Sequence, residues 1–406
     1  MQQDRKLKQP NNSLRYEREK RGWSQSKLAE LIGAPDASTI SRWEIGERKP
    51  EHSYQEKLCN LFQKDAVELG FIEKPNMLKK LELRRRIMDN ESPLPILESS
   101  GFFSFGKLET ALVVLDGNGI ETYSPQNIRS FYDSRPIRFY EEIEQMRETI
   151  EKEQAQNEID GKSFQWNGEI YHLAKYLLSR DPFHEHMKLS LWFHPTDYYT
   201  VLAKNRCMKE YTFREKYISG YDWETPFPFL PIPFGVGLSL LTADGYILFA
   251  QREGNLGVRP RYFMTSVEEG LSRPLDRGTI SDAPDVYRCA CRGLFEELGL
   301  IENNDFFVSD ILFLGLGLDT EYFMCGLRGL IKSPKTAHEI MKNWQIGVKD
   351  KMENKKLIAV PFTLEKVCEF VFTHEPWGGG ALMGIYHTLV HEFGREAVDR
   401  ALASYS

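Results

Sequence analysis

The feature that most constrains the fold of this chain is a run of short helix signals over residues 13–73. In this run Ser24 is a natural N-cap, because its hydroxyl can accept a hydrogen bond from an amide of the first helical turn. Gly33 is a typical helix end, and Asp36 is the expected cap of the helix that follows it. We therefore predict an all-α head of five short helices.

Two helices of this run are joined by a tight turn, and the second has small polar residues on one side. In "STISRWEIGERKP" we expect Ile40 and Trp43 on the inner face, while Ser38, Thr39 and Arg42 face outward. A short helix presented in this way fits the major groove of DNA. The pattern therefore predicts a helix-turn-helix arrangement.

The segments "LRYEREKRGWSQSKLAELIG" and "STISRWEIGERKP" resemble the phage-repressor and xenobiotic-response helix-turn-helix family, over nearly all of residues 13–72. The turn "GAPDAS" is one residue longer than usual, so the recognition helix is expected to begin slightly displaced. The resemblance implies double-stranded DNA as a partner, bound by a homodimer on a two-fold site. The other interpretation is a helical adaptor that binds protein.

The same resemblance assigns three kinds of DNA contact to this head. One residue would bond a phosphate or an adjacent base, a group on the recognition helix would face base edges, and two basic residues would contact the phosphate backbone. In that order they are Gln25; Ala37, Ser38, Thr39 and Arg42; and Arg48 and Lys49.

Charge and composition bound what the rest of the chain can be. The 406 residues carry a net charge of −7, and residues 1–75 hold 14 Lys+Arg against 12 Asp+Glu, or +2, which leaves −9 for the remainder. A mildly positive head on an acidic body suits a small DNA-reading module joined to another domain. We expect no membrane span, since no run of about 18 apolar residues exists, and no signal peptide. With six scattered cysteines, a cytoplasmic protein with reduced thiols is expected.

We predict three segments after the head. Residues 74–98 read as a linker helix, and residues 99–165 as a small α+β region of unassigned role, whose long helix is a candidate dimer contact. Residues 166–406 read as the largest domain, with an N-terminal extension. "DGNG" at residues 116–119 is interpreted as a plain turn rather than a phosphate or calcium loop. His387 and His391 are interpreted as core or solvated histidines.

After residue 233 the sequence shows a clearer pattern of strands and helices. "GVGLSLLTADGYILFAQRE" predicts a hairpin that turns at Asp244 and Gly245. The loop "SVEEG", the helix "DVYRCACRGLFEELGL", two further strands, a helix, a strand and one terminal helix follow. This order predicts a mixed sheet with helices on both faces. Adjacent Glu296 and Glu297 on the key helix are the chemically notable pair, because carboxylates can hold Mg²⁺ against a diphosphate.

That order resembles the Nudix hydrolase superfamily, whose motif is G-x5-E-x7-R-E-U-x-E-E-x-G-U with U aliphatic. The second half of the motif is matched, except that Gly293 stands where the family has a metal-binding glutamate. For the first half, an ungapped alignment places Gly278 and Pro284 at the Gly and Glu positions of the motif. An alignment with an eight-residue insertion places Gly270 and Asp276 there instead, and we prefer this second alignment. The matching positions of the second half are Arg292, Leu294, Glu296, Glu297, Gly299 and Leu300.

The Nudix resemblance implies an α/β/α sandwich with a mixed sheet, so that the whole chain is expected to be multidomain. It implies Mg²⁺ or Mn²⁺ as cofactor and a nucleotide or nucleoside diphosphate derivative as ligand. The implied residues are Glu296, Glu297 and Arg292 for catalysis; Glu296, Glu297 and Glu269 for the metal; and Arg252, Glu268 and Gly270 for the ligand.

Three functions remain open on this basis. The favoured one is a transcriptional regulator whose Nudix-like domain senses a nucleotide or related diphosphate, since Gly293 removes one metal ligand. The alternative is a Mg²⁺-dependent Nudix hydrolase that carries a DNA-binding head. The third makes both ends modules that bind other proteins.

Overall fold

The computed structural model describes residues 11–64, 66, 69–71, 102–180, 187–218, 229–254, 258–279, 281–348 and 354–405. It divides the chain into two units, Met1–Leu94 and Pro95–Ser406. The predicted linker helix at 74–98 lies outside the described residues. Within the described part, no helix is both long enough and apolar enough to cross a membrane.

The first unit is the predicted helical head. Its described helices are α1 (Asn12–Lys20), α2 (Gln25–Ile32), α3 (Ala37–Glu44) and α4 (His52–Phe62). Four helices are described where five were predicted, and the residues expected to form the fifth fall partly outside the described residues. The predicted caps are confirmed: Ser24 Oγ accepts from the Lys27 amide, Gly33 ends α2 with a φ of 68°, and Asp36 caps α3.

The second unit is built on an eight-stranded mixed sheet, which confirms the predicted sheet type. Along the sheet the order is β13–β8–β7–β12–β11–β3, while β10 pairs with β7 and β9 with β8. β7 and β12 pair in parallel, and the other described pairs are antiparallel. Its strands are β3 (Leu112–Asp116), β7 (Phe234–Leu241), β8 (Tyr246–Arg252), β9 (Phe263–Met264), β10 (Val267–Gly270), β11 (Leu312–Asp319), β12 (Met324–Lys332) and β13 (Asn354–Pro361).

Two smaller sheets complete the described strands. A two-stranded hairpin joins β1 (Ser104–Phe105) to β2 (Leu108–Glu109), and a three-stranded sheet has the order β4–β6–β5. The predicted boundary at 165 falls between elements that share a sheet, because β4 pairs with β6 and β3 pairs with β11. The strands of the three-stranded sheet are β4 (Ile128–Tyr132), β5 (Glu169–Arg180) and β6 (Met187–Asp197).

The helices of the second unit cover these sheets. They are α5 (Glu141–Ile159), α6 (Tyr198–Cys207), α7 (Tyr211–Tyr217), α8 (Val286–Leu298), α9 (Ala337–Gly347), α10 (Leu364–Thr373), α11 (Gly379–Phe393) and α12 (Arg395–Ala403). The single terminal helix predicted from the sequence is wrong. Gly394, with a φ of 81°, divides it into α11 and α12, because that backbone conformation cannot continue a right-handed helix.

Helices α8 and α11 lie on opposite faces of the large sheet. A side chain at Gly293 of α8 would meet Glu269, whereas a side chain at Gly380 of α11 would meet Arg328, the partner of Glu268. Because neighbouring residues of a strand point to opposite faces, Glu268 and Glu269 assign one helix to each face. The identification of this layering with a Nudix sandwich stays a prediction.

Candidate functional site

Helix α3 presents one apolar and one polar face, as predicted. Ile40 and Trp43 are buried in the head, whereas Ser38 and Arg42 are exposed and Thr39 is half-buried. Ala37 is also half-buried at the start of the helix. The structure therefore confirms the predicted faces, and the contacts of these side chains with DNA stay a prediction.

The N-terminal cap of α3 sets how two of these side chains can read a base. Asp36 Oδ1 accepts from the Thr39 amide at 2.9 Å, from Ser38 Oγ at 2.7 Å and from Thr39 Oγ1 at 3.0 Å. The bond from Ser38, followed by the bonds from Thr39, lowers the pKa of Asp36. Since both hydroxyl protons are donated to Asp36, the remaining lone pairs of Ser38 and Thr39 can accept from amino groups such as those of adenine or cytosine.

A buried ion pair fastens the end of α3 to the rest of the head. Glu44 accepts from Arg18 Nε at 2.6 Å and from Arg18 Nη2 at 3.0 Å, and Arg18 Nη1 donates to the Trp23 carbonyl at 2.8 Å. The side-chain bond to Glu44 raises the pKa of Arg18. Both residues are less than a tenth exposed. The pair therefore holds α1, the α1–α2 turn and the recognition helix together.

Gln25, the predicted phosphate contact, belongs to the same network. Its Nε2 donates to Glu44 Oε2 at 2.8 Å, which fixes one end of the amide and leaves its oxygen for another partner. The sequence reading missed the roles of Arg18 and Glu44. The position of Arg18 could have been predicted from the sequence. It follows the buried Leu14 by four residues, so it lies on the inner face of α1.

The remaining predicted DNA contacts lie just after α3. Arg48 and Lys49 are both exposed in the turn between α3 and α4, on the chain that leaves the recognition helix. Long basic side chains in such a position can contact phosphates without reading sequence. The head therefore brings its predicted base contacts and backbone contacts into one stretch of chain.

In the second unit, Arg292 is the centre of the candidate site on α8. Its guanidinium donates to both oxygens of Asp276, at 2.9 and 2.8 Å, and to the Gly270 carbonyl at 2.8 Å. It also lies 3.0 Å from Glu269 and 3.1 Å from Glu296. Arg292 thus connects α8 to the loop after β10. It also brings together Gly270 and Asp276, the two residues that the alignment with an insertion places in the first half of the motif.

One guanidinium, that of Arg292, faces three carboxyl groups in this cluster. Burial acts to lower the pKa of Arg292, but the bonds to Asp276 and the charge of Glu269 outweigh it and the pKa is raised. Asp276 is fully buried, and its Oδ2 also accepts from the Ser272 amide at 2.7 Å. Removing Arg292 would leave the buried carboxylate of Asp276 without its charged partner.

Glu296 and Glu297 are buried side chains rather than a solvated face. Glu296 accepts from Arg292 at 3.1 Å, and Glu297 accepts from the Glu268 amide at 2.9 Å and from Asn354 Nδ2 at 3.0 Å. Glu296 is therefore held within α8 itself, whereas Glu297 is held by residues of β10 and β13. The predicted inward packing of this helix is confirmed, since three leucines are almost fully buried: Leu294, Leu298 and Leu300.

The position of the missing glutamate is closed by packing. A Cβ atom at Gly293 would lie 2.6 Å from Val267 Cγ1 and 3.0 Å from Glu269 Cβ. Contacts below 3.0 Å do not occur without movement of the neighbours, and Val267 is a short branched side chain in the core. Glycine at 293 is therefore required by the close approach of β10 to α8.

These residues do not fit a divalent cation in the arrangement described. Among the residues placed by the structure, no group of three or more His, Cys, Asp or Glu side chains could hold a metal ion. Glu269 and Glu296 share the guanidinium of Arg292, and Glu297 points to Asn354. Since Mg²⁺ needs several converging oxygens, we derive no chemistry through a metal, and the cofactor stays a prediction.

The three predicted ligand residues are not brought together. Glu268 faces α11, where its carboxylate accepts from Arg328 and from Thr265 Oγ1 at 2.7 Å. The Gly270 carbonyl accepts from Arg292, and Arg252 lies at the end of β8, across from Asn354. Glu268 and Gly270 are therefore engaged by different arginines, and Arg252 lies on another strand.

Arg328 is a partly buried charge that the sequence analysis did not single out. It pairs across the sheet with Gly237, where a Cβ atom would lie 2.1 Å from its Nη1, and Gly380 of α11 approaches its guanidinium as closely. The two glycines that make room for this guanidinium can be recognised only when the strand pairing and the position of α11 are known. No feature of the sequence near residue 328 indicates this contact.

Comparison with known proteins supports the head. Residues 14–69 match the helix-turn-helix family. No curated protein matches the chain. Among solved structures, the chain is similar to the crystal structure of DR0079 from Deinococcus radiodurans, at 12% identity over 42% of this chain and 82% of that chain, with a TM-score of 0.24. A likeness at that TM-score carries no argument. Residues 14–69 are thus a helix-turn-helix segment of the phage-repressor type, a DNA-binding class.

Proposed function

We propose that this protein is a cytoplasmic transcription regulator that binds double-stranded DNA as a homodimer and senses a nucleotide or related diphosphate through its C-terminal unit. The observation that supports DNA binding most is helix α3, whose polar face is exposed within a segment that matches the helix-turn-helix family. A single head of this size reads few base pairs, so two copies on a two-fold site are the expected arrangement.

The first test separates base reading from backbone contact. Arg42→Ala should cost about 1–3 kcal/mol at one base position and relax sequence choice there, because it removes a side chain directed at a base edge. Lys49→Ala should weaken all duplexes similarly and reduce the salt slope of log K by about 1, since it removes one phosphate contact. Fluorescence anisotropy across a salt series, with duplexes selected by the wild-type protein from a random library, measures both.

Lys20→Ala is the matched control, because Lys20 is exposed at the end of α1 and is not among the predicted contacts. Its salt slope should equal that of the wild type. Unchanged specificity in Arg42→Ala together with an unchanged slope in Lys49→Ala would show that α3 is not the recognition helix. It would favour the adaptor interpretation.

The sensing part of the proposal is supported by the cluster around Arg292. Arg292 bonds Asp276 and Gly270 to helix α8 within the segment whose sequence resembles the Nudix motif, while the closed position at Gly293 leaves no room for the absent carboxylate. Binding without hydrolysis is the function that this combination favours. A working hydrolase remains the alternative outcome of the test below.

The second test uses the full chain with ADP-ribose, NAD, nucleoside triphosphates and sugar nucleotides, each with Mg²⁺ or Mn²⁺. We expect a thermal shift with at least one compound and no product release. Glu296→Gln serves as the variant, because it keeps the size of the side chain and removes one negative charge beside Arg292. Product release that is lost in Glu296→Gln would establish the hydrolase, and the absence of any shift would overturn the sensing proposal.

A further inference from the structure

The three-stranded sheet of the second unit has one side that carries aromatic and basic side chains. In β6, Leu191 and Phe193 are fully buried, so Trp192 between them points to the opposite side. The strand register places Phe131 of β4 and Lys175 of β5 beside Trp192, and both are exposed. We call this side the outer face, and it includes Arg129, Phe131, Lys175, Leu177, Lys188 and Trp192.

Phe131, Trp192 and Lys175 form one row across the three strands. The rings of Phe131 and Trp192 are stacked, with centroids 4.9 Å apart and 15° between their planes. The Nζ atom of Lys175 lies 5.1 Å from the centroid of the Trp192 ring. Because each side chain is held by its neighbour, the row is already ordered before any ligand binds, which lowers the entropic cost of binding.

Phe131 ends this row at the edge of the sheet. The strand order is β4–β6–β5, so no further strand of the described sheet lies beyond β4. Trp192 covers one side of the Phe131 ring, yet 42% of this residue remains exposed. A second flat ring can therefore stack on Phe131 and extend the row.

The charge of the outer face is opposite to that of the chain around it. The net charge of −7, less the +2 of residues 1–75, leaves −9 for the rest of the chain. The outward positions of β4, and those of β5 and β6 that pair between Lys175 and Trp192, nevertheless hold no carboxylate. Arg129 lies two residues before Phe131 and is exposed, as is Lys175. The outer face therefore offers positive charge beside an open aromatic ring.

We propose that the outer face binds single-stranded DNA, with one base stacked on Phe131 and phosphates beside Arg129 and Lys175. Aromatic rings next to cations suit a single strand, because every base has a flat face and every nucleotide carries a phosphate. The bases of a duplex are stacked on each other and are not available to Phe131. DNA is the strand expected here, since the same chain carries a head of a DNA-binding class.

This site goes beyond the function proposed above. It shares no residue with the predicted DNA contacts of the head or with the cluster around Arg292. The head is expected to read a duplex, whereas the outer face would bind a strand that is not paired.

The experiment is fluorescence anisotropy of the full chain with a labelled oligothymidylate of about 16 nucleotides, the upper site size of a single stacking module. An excess of the duplex selected by the wild-type protein keeps the head occupied. Phe131→Leu keeps an apolar side chain and removes the ring, so it should weaken binding by about 5-fold or more. Arg129→Gln and Lys175→Gln should each reduce the salt slope of log K by about 0.7, since each removes one phosphate contact.

Phe164→Leu and Lys209→Gln are the matched controls. Both residues are exposed in the same unit and lie outside the three-stranded sheet. Each variant should bind oligothymidylate like the wild type. If Phe131→Leu fails to fold, Arg129→Gln and Lys175→Gln still decide the question.

Ultraviolet cross-linking locates the bound strand, and the linked peptide should contain Phe131. Four results would overturn the proposal: no binding up to about 100 μM, the weak end of non-specific affinity; equal affinity in a folded Phe131→Leu together with an unchanged salt slope in the two charge variants; cross-links confined to peptides outside the outer face; or tighter binding of the corresponding RNA. Duplex binding by the head, measured with Arg42→Ala and Lys49→Ala, does not depend on these residues. The two proposals can therefore fail separately.

Discussion

Replacing Glu44 by alanine is expected to destabilise the head by about 3–5 kcal/mol and to abolish DNA binding. The substitution removes both short bonds of the buried Arg18 guanidinium and leaves it only the half-exposed carboxylate of Glu19 at 3.3 Å. It also removes the acceptor for Gln25. A helical unit of this size has a total stability of only roughly 3–9 kcal/mol at 0.05–0.15 kcal/mol per residue. Hydrogen exchange of peptides from α1 to α4 in the full chain measures the loss, because it reports the opening of the head separately.

Two further variants define what this result means. Glu30→Ala removes the exposed ion pair with Lys27 and should cost less than about 1 kcal/mol. The double variant Arg18→Met/Glu44→Leu replaces the buried pair with apolar side chains and should recover most of the stability. If exchange in Glu44→Ala matched the wild type, the ion pair would not hold the recognition helix. If the double variant regained stability but still bound DNA weakly, Gln25 would have a direct role in DNA binding.

Replacing Gly293 by glutamate, which completes the carboxylate motif, is expected to destabilise the second unit rather than to produce a hydrolase. The new Cβ atom would lie 2.6 Å from Val267 Cγ1, and overpacking of this kind costs about 1–3 kcal/mol. The new carboxylate would also lie beside Glu269, already paired with Arg292. Urea unfolding measures the cost, and product release from the nucleotide panel measures any activity.

Gly293→Ala separates the steric part of this effect, since alanine adds only the Cβ atom. Phe295→Glu adds the same charge at an exposed position of α8, where it should be nearly neutral. We expect Gly293→Glu to be the least stable of the three. Wild-type stability in Gly293→Glu, or turnover gained by it, would contradict the packing argument and support the hydrolase.

The parts of the fold that were predicted correctly depend on local signals. The caps at Ser24 and Asp36, the buried face of Ile40 and Trp43, and the hairpin turn at Gly245 each rest on residues a few positions apart. Such short-range chemistry can be read from a sequence. It was sufficient for the helices of the head and for the hairpin of the second unit that turns at Gly245.

The parts that were missed depend on contacts between distant residues. Arg18 and Glu44 are 26 positions apart, and β3 pairs with β11 about two hundred residues later. Likewise, Glu296 and Glu297 were predicted as a metal pair because a sequence shows their carboxylates but not the partners that occupy them. Gly293 was interpreted as a lost ligand, whereas Val267 makes it a packing requirement.

The division of Glu268 and Glu269 between the two faces of the large sheet has a mechanical consequence. One residue holds Arg328 beneath α11 and the next holds Arg292 beside α8. Packed protein interiors transmit strain instead of absorbing it. A displacement of this short strand that begins at one face must therefore also change the geometry of the ion pair on the other face. The two faces are therefore not energetically separate, although their guanidinium groups share no bond in the described structure. A ligand on either side would act on both through one dipeptide.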